Sequence, residues 1–217
     1  DVPVDTLGLT TPGVYAIGVE ARGRRDDGPR RRLGLTKTFV PWLPEPVAPT
    51  RVTWLWPLVS EPRRGADGQF LGDELAGELA PGGRLSELLD AGTGQPVTWV
   101  VDPELLAAAA DMADGYRVRT RSGVRTGSGE GAASGWLDRL RSATRAAQVV
   151  ALPYADPDLV ALVRAGRATD VAAARAAAAV AADVLGRPVA TDVVWPEGGQ
   201  ADLATLEQLR ESGARLA

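Results

Sequence analysis

Three carboxylates in this sequence stand directly after short apolar runs, where strands would end. Asp102 and Asp156 are each followed by a proline, and Glu197 follows Trp195 and Pro196 in front of two glycines. A carboxylate in such a place can act as a general acid, as a general base or as an acceptor for sugar hydroxyl groups. Asp followed by Pro also favours the start of a helix, so we expect Asp102 and Asp156 to cap the helices that follow. The two roles are compatible with one another.

Aromatic side chains accompany these carboxylates on or near the same apolar runs. Trp54 and Trp56 are two positions apart, so they face one side of a strand. Aromatic rings stack on sugar rings, whereas the alternative is that such large side chains fill the core. We predict a ligand site that contains Trp54, Trp56, Trp99, Tyr154, Asp156 and Trp195. If the site is catalytic, we expect Glu197 to be the reacting carboxylate and Asp102 to be its partner.

Four apolar runs carry these residues, and a helical pattern follows each of them. The runs are residues 52–56, 97–101, 148–152 and 189–195. A β-rich run, a proline and then a helix, repeated in this way, is typical of β/α units on a parallel sheet. We predict an α/β fold in which the four runs are neighbouring parallel strands of a partial (β/α) barrel. Ligands bind at the carboxyl ends of the strands in such folds, which is where the three carboxylates stand.

The pattern changes along the chain and indicates two domains. Residues 1–40 alternate around an Arg-rich polar turn and predict an antiparallel β-hairpin, the end of a truncated β-sandwich-like domain. Residues 41–49 contain four prolines and predict an extended linker. Residues 50–217 then form the barrel-like domain, in which residues 117–130 are polar and Gly-rich and predict a mobile loop. A further strand should begin at residues 213–217, so we expect the barrel to be truncated there.

The composition excludes several classes of function. The net charge is −4 and the sequence contains neither His nor Cys, which argues against nucleic-acid binding, disulfides, thiolate nucleophiles and His-based triads. The usual zinc ligands are also missing, so we expect no cofactor and no tightly bound transition metal. Any catalysis must therefore depend on carboxylates, hydroxyl groups, Arg or the single lysine, Lys37.

Several motifs together resemble an uncharacterised family of actinobacterial envelope proteins, often encoded near the lipid II flippase. The matching pieces are TWLWPL at 53–58, GRL at 83–85, PVTWVVDPELL at 96–106, LPYADPD at 152–158 and WP at 195–196. The resemblance implies a parent protein with a secretory signal, a β-rich region, a β/α region and a C-terminal membrane anchor. It therefore implies an extracytoplasmic location in the cell envelope, with other envelope proteins as partners.

Two of the strand ends are also similar to the glycoside hydrolase/deacetylase superfamily of irregular (β/α) barrels. These are LPYAD at 152–156, and WPEGG at 195–199 with the helix that follows and closes on Gly213. Metal-dependent deacetylases of that superfamily use an Asp-Asp pair on the first strand and paired histidines. Here the first strand ends in WLWP and His is absent, so the resemblance does not extend to that chemistry.

These observations leave three functions open. The first is an envelope protein that binds a cell-wall glycan or a lipid-linked precursor without catalysis. The second is a metal-independent glycoside hydrolase that uses two carboxylates, and the third is a structural scaffold in an envelope assembly. The separation of the carboxyl groups would distinguish an enzyme from a binding protein, because retaining and inverting glycosidases each require a defined distance.

Overall fold

The computed structural model describes residues 3–24, 28–46 and 48–216. The chain divides into two compact units, Asp1–Val52 and Thr53–Ala217, which are described separately below. Residues 25–27 of the predicted Arg-rich turn and residue 47 of the predicted linker lie outside the described residues. In the part of the chain that the structure covers, no helix has the length and apolar character needed to cross a membrane.

The first unit contains the predicted hairpin. A 3₁₀ turn at Val4–Leu7 precedes strands β1 (Gly13–Gly23) and β2 (Arg31–Trp42), which pair antiparallel from Gly13 opposite Trp42 to Gly23 opposite Arg31. The register shifts between Ala21 and Arg22, as it does at a β-bulge. The antiparallel hairpin predicted from the alternating sequence is therefore confirmed.

A three-stranded parallel sheet forms the centre of the second unit. Its strands are β3 (Trp54–Leu58), β4 (Val97–Val101) and β7 (Val149–Ala151), and they lie side by side in that order. The three strands are near-continuous runs of apolar residues, as is typical of parallel strands. Three of the four predicted runs are thus confirmed as neighbouring parallel strands.

The fourth predicted run is only partly in this sheet. Ala190 makes one parallel bridge to Val150, but the strand itself is β8 (Val193–Val194), which pairs in parallel with β9 (Arg215–Leu216). The prediction of one four-stranded sheet was therefore wrong, because the hydrogen bonds of this segment are divided between two partners. Ala190 bonds to the backbone of β7, whereas the carbonyl of Asp192 accepts a hydrogen bond from Arg215 N. No closed barrel is detected among the described residues.

The segment predicted as a mobile loop is partly a small antiparallel hairpin, β5 (Arg117–Thr120) and β6 (Gly123–Thr126). Tertiary contacts account for this difference. Val118 is buried, and the backbone of Phe70 donates to Arg117 O at 2.9 Å and accepts from Arg119 N at 2.7 Å. A distant segment thus supplies a third strand-like partner, which the local sequence does not reveal.

Helices occupy the connections between the strands. The alanine-rich stretch at residues 170–185 is divided between two of them. They are α1 (Glu74–Leu79), α2 (Arg84–Gly92), α3 (Pro103–Ala113), α4 (Glu130–Thr144), α5 (Leu159–Arg164), α6 (Ala168–Ala177), α7 (Val180–Leu185) and α8 (Leu203–Glu211), with a 3₁₀ turn at Glu197–Gly199.

The two faces of the sheet have different neighbours. Trp99 and Val101 face a large core built with helices α1 to α4 and α7. Val100, Val150 and Leu152 face the other way, into a small cluster in which no described residue comes from a helix. Helices α1 to α4 and α7 therefore cover one face of the three-stranded sheet, whereas α5, α6 and α8 form a separate cluster with Val194 of β8.

We expect Trp99 and Trp54 to differ sharply in their effect on stability. Trp99→Ala should lower the free energy of unfolding by about 3–5 kcal/mol, because Trp99 is 1% exposed and its loss leaves a large cavity. Trp54→Ala should change it by less than about 1 kcal/mol, because Trp54 is 64% exposed. Urea denaturation followed by circular dichroism measures both, and similar losses for the two variants would contradict the structure.

Candidate functional site

The carboxyl ends of the strands open onto a cavity of about 740 Å³ on the face opposite helices α1 to α4 and α7. Its apolar floor consists of Pro57, Val59, Val100 and Leu152. Its rim comes from the two loops that follow β7 and β8, and it is polar. The rim residues are Asp156, Pro157, Asp158, Trp195, Pro196, Glu197, Gly198 and Gly199.

Asp156 reaches this rim because it does not cap a helix. We expected it to cap the next helix with Pro157 in the first turn, but the cap of α5 is Asp158, whose side chain accepts a hydrogen bond from Ala161 N at 2.9 Å. A capping residue needs extended backbone, whereas Asp156 has a left-handed φ of 40°. The helix therefore begins two residues later than predicted, and the carboxylate of Asp156 lines the cavity.

Glu197 lies on the same cavity rim as Asp156, in a short 3₁₀ turn that also contains Gly198 and Gly199. Gly198 and Gly199 have φ values of 62° and 66°, a left-handed conformation that glycine adopts without steric cost. Burial raises the pKa of Asp156, and the charge of Glu197 raises it further. The two carboxylates are thus close enough to repel one another, which favours a protonated Asp156 or a positively charged ligand.

Trp195 lies in this cavity, but the other tryptophans that we predicted for the site do not. Trp195 is 39% exposed and available for stacking. Trp56 and Trp99 are directly opposite one another on β3 and β4, and both belong to the core on the helix side. Trp56 Nε1 donates to the carbonyl of Leu88 at 2.9 Å. Trp54 lies at the amino end of β3, the far end from the cavity.

The register of the sheet explains why Trp56 and Trp99 lie in the core and not in the cavity. Trp54 and Trp56 share a face because they are two apart, and pairing with β4 puts Trp99 on that face. That face receives the helices, with Gly92 of α2 packed so closely that an added Cβ would lie 2.6 Å from Trp99. Trp56 and Trp99 therefore fill the core, which was the alternative to ligand binding, whereas Trp54 is exposed.

Asp102 is placed beneath the loop that follows β7 and does not line the cavity. It caps α3 as predicted, since Oδ1 accepts from Glu104 N at 2.9 Å, and it also accepts from Ala155 N at 3.0 Å. Oδ2 is buried and has no hydrogen-bond partner among the described residues. Burial raises the pKa of Asp102 to about 7. The structure therefore does not bring Asp102 and Glu197, the predicted catalytic pair, into one cavity.

Tyr154 faces a separate cavity of about 460 Å³ on the other side of this loop. Its hydroxyl accepts a hydrogen bond from Arg64, whose Nε lies 3.0 Å from Glu104 Oε1 and which also pairs with Asp111. Burial raises the pKa of Tyr154, so the phenol remains protonated at neutral pH. Sequence analysis did not identify Arg64, because it lies in an irregular segment more than 35 residues before the nearest of its partners.

Metal ligands are not grouped anywhere in the part of the chain that the structure describes: no cluster of three or more acidic side chains is placed to hold an ion. The absence of a cofactor and of a transition metal stays a prediction. Elemental analysis of the purified protein should find far less than one zinc per chain, because His and Cys are both missing. Stoichiometric zinc that survives dialysis against a chelator would contradict it.

Together, the fold and the cavity define a mixed α/β protein with a Trp and two carboxylates at the carboxyl ends of parallel strands. A family model, described as a family of unknown function (DUF6049), matches residues 1–217. The chain therefore belongs to this family, in agreement with the uncharacterised family that its motifs resemble. No curated protein matches the chain.

Asp102 should make stability depend on pH. Its pKa is raised from 3.8 to about 7 in the folded state, so its contribution is complete below about pH 4 and is lost as the pH rises through about 7. The free energy of unfolding of the wild type, relative to Asp102→Asn, should fall by about 2–3 kcal/mol between pH 5 and pH 8. Asn keeps the acceptor oxygen but does not titrate.

Urea denaturation at several pH values measures this difference. Asp138→Asn is the matched control, because the Asp138 side chain is 72% exposed on α4 and the same chemical change there should leave the pH dependence of the wild type intact. If wild type and Asp102→Asn lose stability in parallel between pH 5 and pH 8, the buried carboxylate is not the titrating group.

Proposed function

We propose that the chain is part of an extracytoplasmic cell-envelope protein whose cavity binds a cell-wall glycan or a lipid-linked precursor without cutting it. One observation carries this proposal: the cavity of about 740 Å³ combines the exposed ring of Trp195 with the carboxylates of Asp156 and Glu197. A ring face and hydrogen-bond acceptors are what a sugar requires, since it has an apolar ring face and a rim of hydroxyl donors. The volume lies in the range of about 300–1,000 Å³ typical of small-molecule sites.

The arrangement of strands supports the proposed likeness to a partial (β/α) barrel of the glycoside hydrolase/deacetylase type. Successive strands lie side by side in chain order, β3-β4-β7, and the order continues through the bridge at Ala190 to β8 and β9. Doubly wound sheets instead reverse their order at a switch point and carry helices on both faces. The cavity lies at the carboxyl ends of the strands, between the loops that follow them, which is where barrels bind their ligands.

Binding without catalysis is favoured by the position of Asp102. A glycosidase that uses Glu197 and Asp102 needs both carboxyl groups beside the same bond, but Asp102 is buried under the loop after β7 with Oδ1 bonded to two backbone amides. The predicted pair therefore has no common access to a substrate.

A glycoside hydrolase that uses Asp156 and Glu197 is the second candidate. The observation that favours it is the raised pKa of Asp156, caused by burial and then by the charge of Glu197. Glycosidases place a carboxyl group of raised pKa, which acts as the acid, beside a second carboxyl group that acts as nucleophile or base. Hydrolysis would then be abolished by Glu197→Gln.

The envelope setting is supported by sequence motifs alone. The resemblance to actinobacterial envelope proteins covers the strand ends at 53–58, 96–106, 152–158 and 195–196. We propose on this basis that the parent protein is secreted, is held by a C-terminal membrane anchor and contacts other envelope proteins.

Trp195→Ala should weaken glycan binding about tenfold or more, because it removes the stacking surface of the cavity. Glu197→Gln should leave the affinity for neutral, N-acetylated wall fragments within about threefold, since the amide still accepts a hydrogen bond. Trp54→Ala is the matched control, because Trp54 is exposed at the opposite end of its strand. Calorimetry measures affinity, and chromatography of the same fragments detects hydrolysis.

The outcomes separate the alternatives. Turnover that Glu197→Gln abolishes would establish the hydrolase and contradict a purely binding role. Failure of the wild type either to bind or to cleave any wall glycan would contradict both and leave the scaffold as the remaining function.

A further inference from the structure

We propose that the cavity belongs to a longer acidic groove that selects sugars with a free amine over N-acetylated and phosphorylated sugars. This inference depends on the proposed glycan-binding function and specifies which glycans the site takes. It follows from the shape of the groove, the charges that line it and the aromatic ring at its edge.

A second cavity continues the first one along the surface. It has a volume of about 550 Å³ and shares Asp158, Glu197 and Gly198 with the first cavity. Glu197 therefore stands at the junction of two adjacent compartments. A groove of two compartments fits a ligand of more than one sugar unit, with Glu197 between neighbouring units.

The lining of this groove carries an excess of negative charge. Asp156 and Glu197 have no ion-pair partner among the described residues. One carboxylate oxygen of Asp158 caps α5 by accepting a hydrogen bond from Ala161 N, which leaves the negative charge of Asp158 in place. Arg164 is the basic side chain of the lining, and its Nε lies 2.8 Å from Asp202 Oδ2. Hydrogen bonds from Thr205 and Arg164 lower the pKa of Asp202 to about 2. The Arg164–Asp202 ion pair therefore adds no net charge to the groove.

The pKa of Asp102, which lies beneath the loop after β7, reflects the negative charge of the groove. Asp102 is 1% exposed, and burial, followed by the negative charges of Glu104 and Asp156, raises its pKa to about 7. At pH 6 it is therefore mostly neutral and adds little charge of its own. Carboxylates crowded in this way repel one another. A ligand with a positive charge relieves the repulsion, whereas a phosphate increases it.

An ammonium group on a sugar meets these requirements better than other cations. Among the described residues no acidic cluster has the geometry to hold a metal ion. The exposed ring of Trp195 offers a flat face to a sugar ring and a favourable surface to an ammonium group. A phosphorylated sugar would need an unpaired basic residue, and the one Arg of the lining is occupied by Asp202.

The affinity of the protein for three probes tests the inference. The probes are the glucosamine tetramer, the N-acetylglucosamine tetramer and N-acetylglucosamine 1-phosphate, each measured by calorimetry at pH 6 in low and in high salt. We expect the glucosamine tetramer to bind about tenfold tighter than the acetylated one in low salt. The preference should shrink in high salt, because ions screen the exposed part of the interaction.

Charge variants locate the effect in the groove. Glu197→Gln should remove most of the preference for the amine while leaving the acetylated tetramer nearly unaffected. Glu207→Gln is the matched control, since Glu207 is exposed on α8 outside both cavities and the same change there should have no effect.

Each result has a definite meaning. Equal affinity for the two tetramers overturns the amine preference but leaves the proposed glycan binding intact. Tightest binding of the phosphorylated sugar overturns it in favour of a precursor headgroup. An equal loss in Glu197→Gln and Glu207→Gln attributes the preference to net charge and overturns the assignment to the groove. Binding of no probe overturns both this inference and the proposed function.

Discussion

One buried carboxylate holds the loop on which the candidate site depends. Ala155 and Asp156 have left-handed backbones, with φ values of 63° and 40°, and such residues other than glycine each cost about 1–2 kcal/mol. Asp102 offsets part of this cost, because its Oδ1 accepts the backbone N–H of Ala155 while also capping α3. The same side chain therefore joins the end of β4 to the end of β7. It adds to the local turn, in which Asp156 N donates to Pro153 O at 2.9 Å.

The loop after β7 separates two polar environments with different roles. On one side, Tyr154 meets Arg64, which pairs with Glu104 and Asp111. On the other side, Asp156 and Glu197 face a cavity and have no basic partner among the described residues. Ion-paired side chains are typical of structural networks, whereas carboxylates with perturbed pKa values at an open cavity are typical of functional sites. Asp156 lies on the cavity side of the loop, whereas Asp102 lies beneath it.

The site also depends on helices α1 to α4 and α7 lying on one side of the sheet. Their core takes Trp56 and Trp99, so these large rings stabilise the fold and are unavailable to a ligand. The opposite face carries smaller side chains such as Val100 and Leu152, which leave room for the cavity. The alternation of side chains along single strands thus separates the helix-side core from the candidate site.

The sequence alone determined the local elements, since strands, turns and caps depend on neighbouring residues. It predicted the hairpin of β1 and β2, the three parallel strands, the cap at Asp102 and the placement of Trp195 and Glu197 beyond a strand end.

The sequence alone could not predict the features that depend on long-range contacts. Periodicity showed that Trp54 and Trp56 share a face, but only packing determined that this face meets the helices. Likewise, the left-handed backbone that moved the cap from Asp156 to Asp158 depends on Asp102, more than fifty residues earlier in the chain. The hairpin of β5 and β6 depends in the same way on its hydrogen bonds to Phe70. Contacts of this kind join segments that are far apart in the chain, and no local sequence pattern indicates which distant segments will meet.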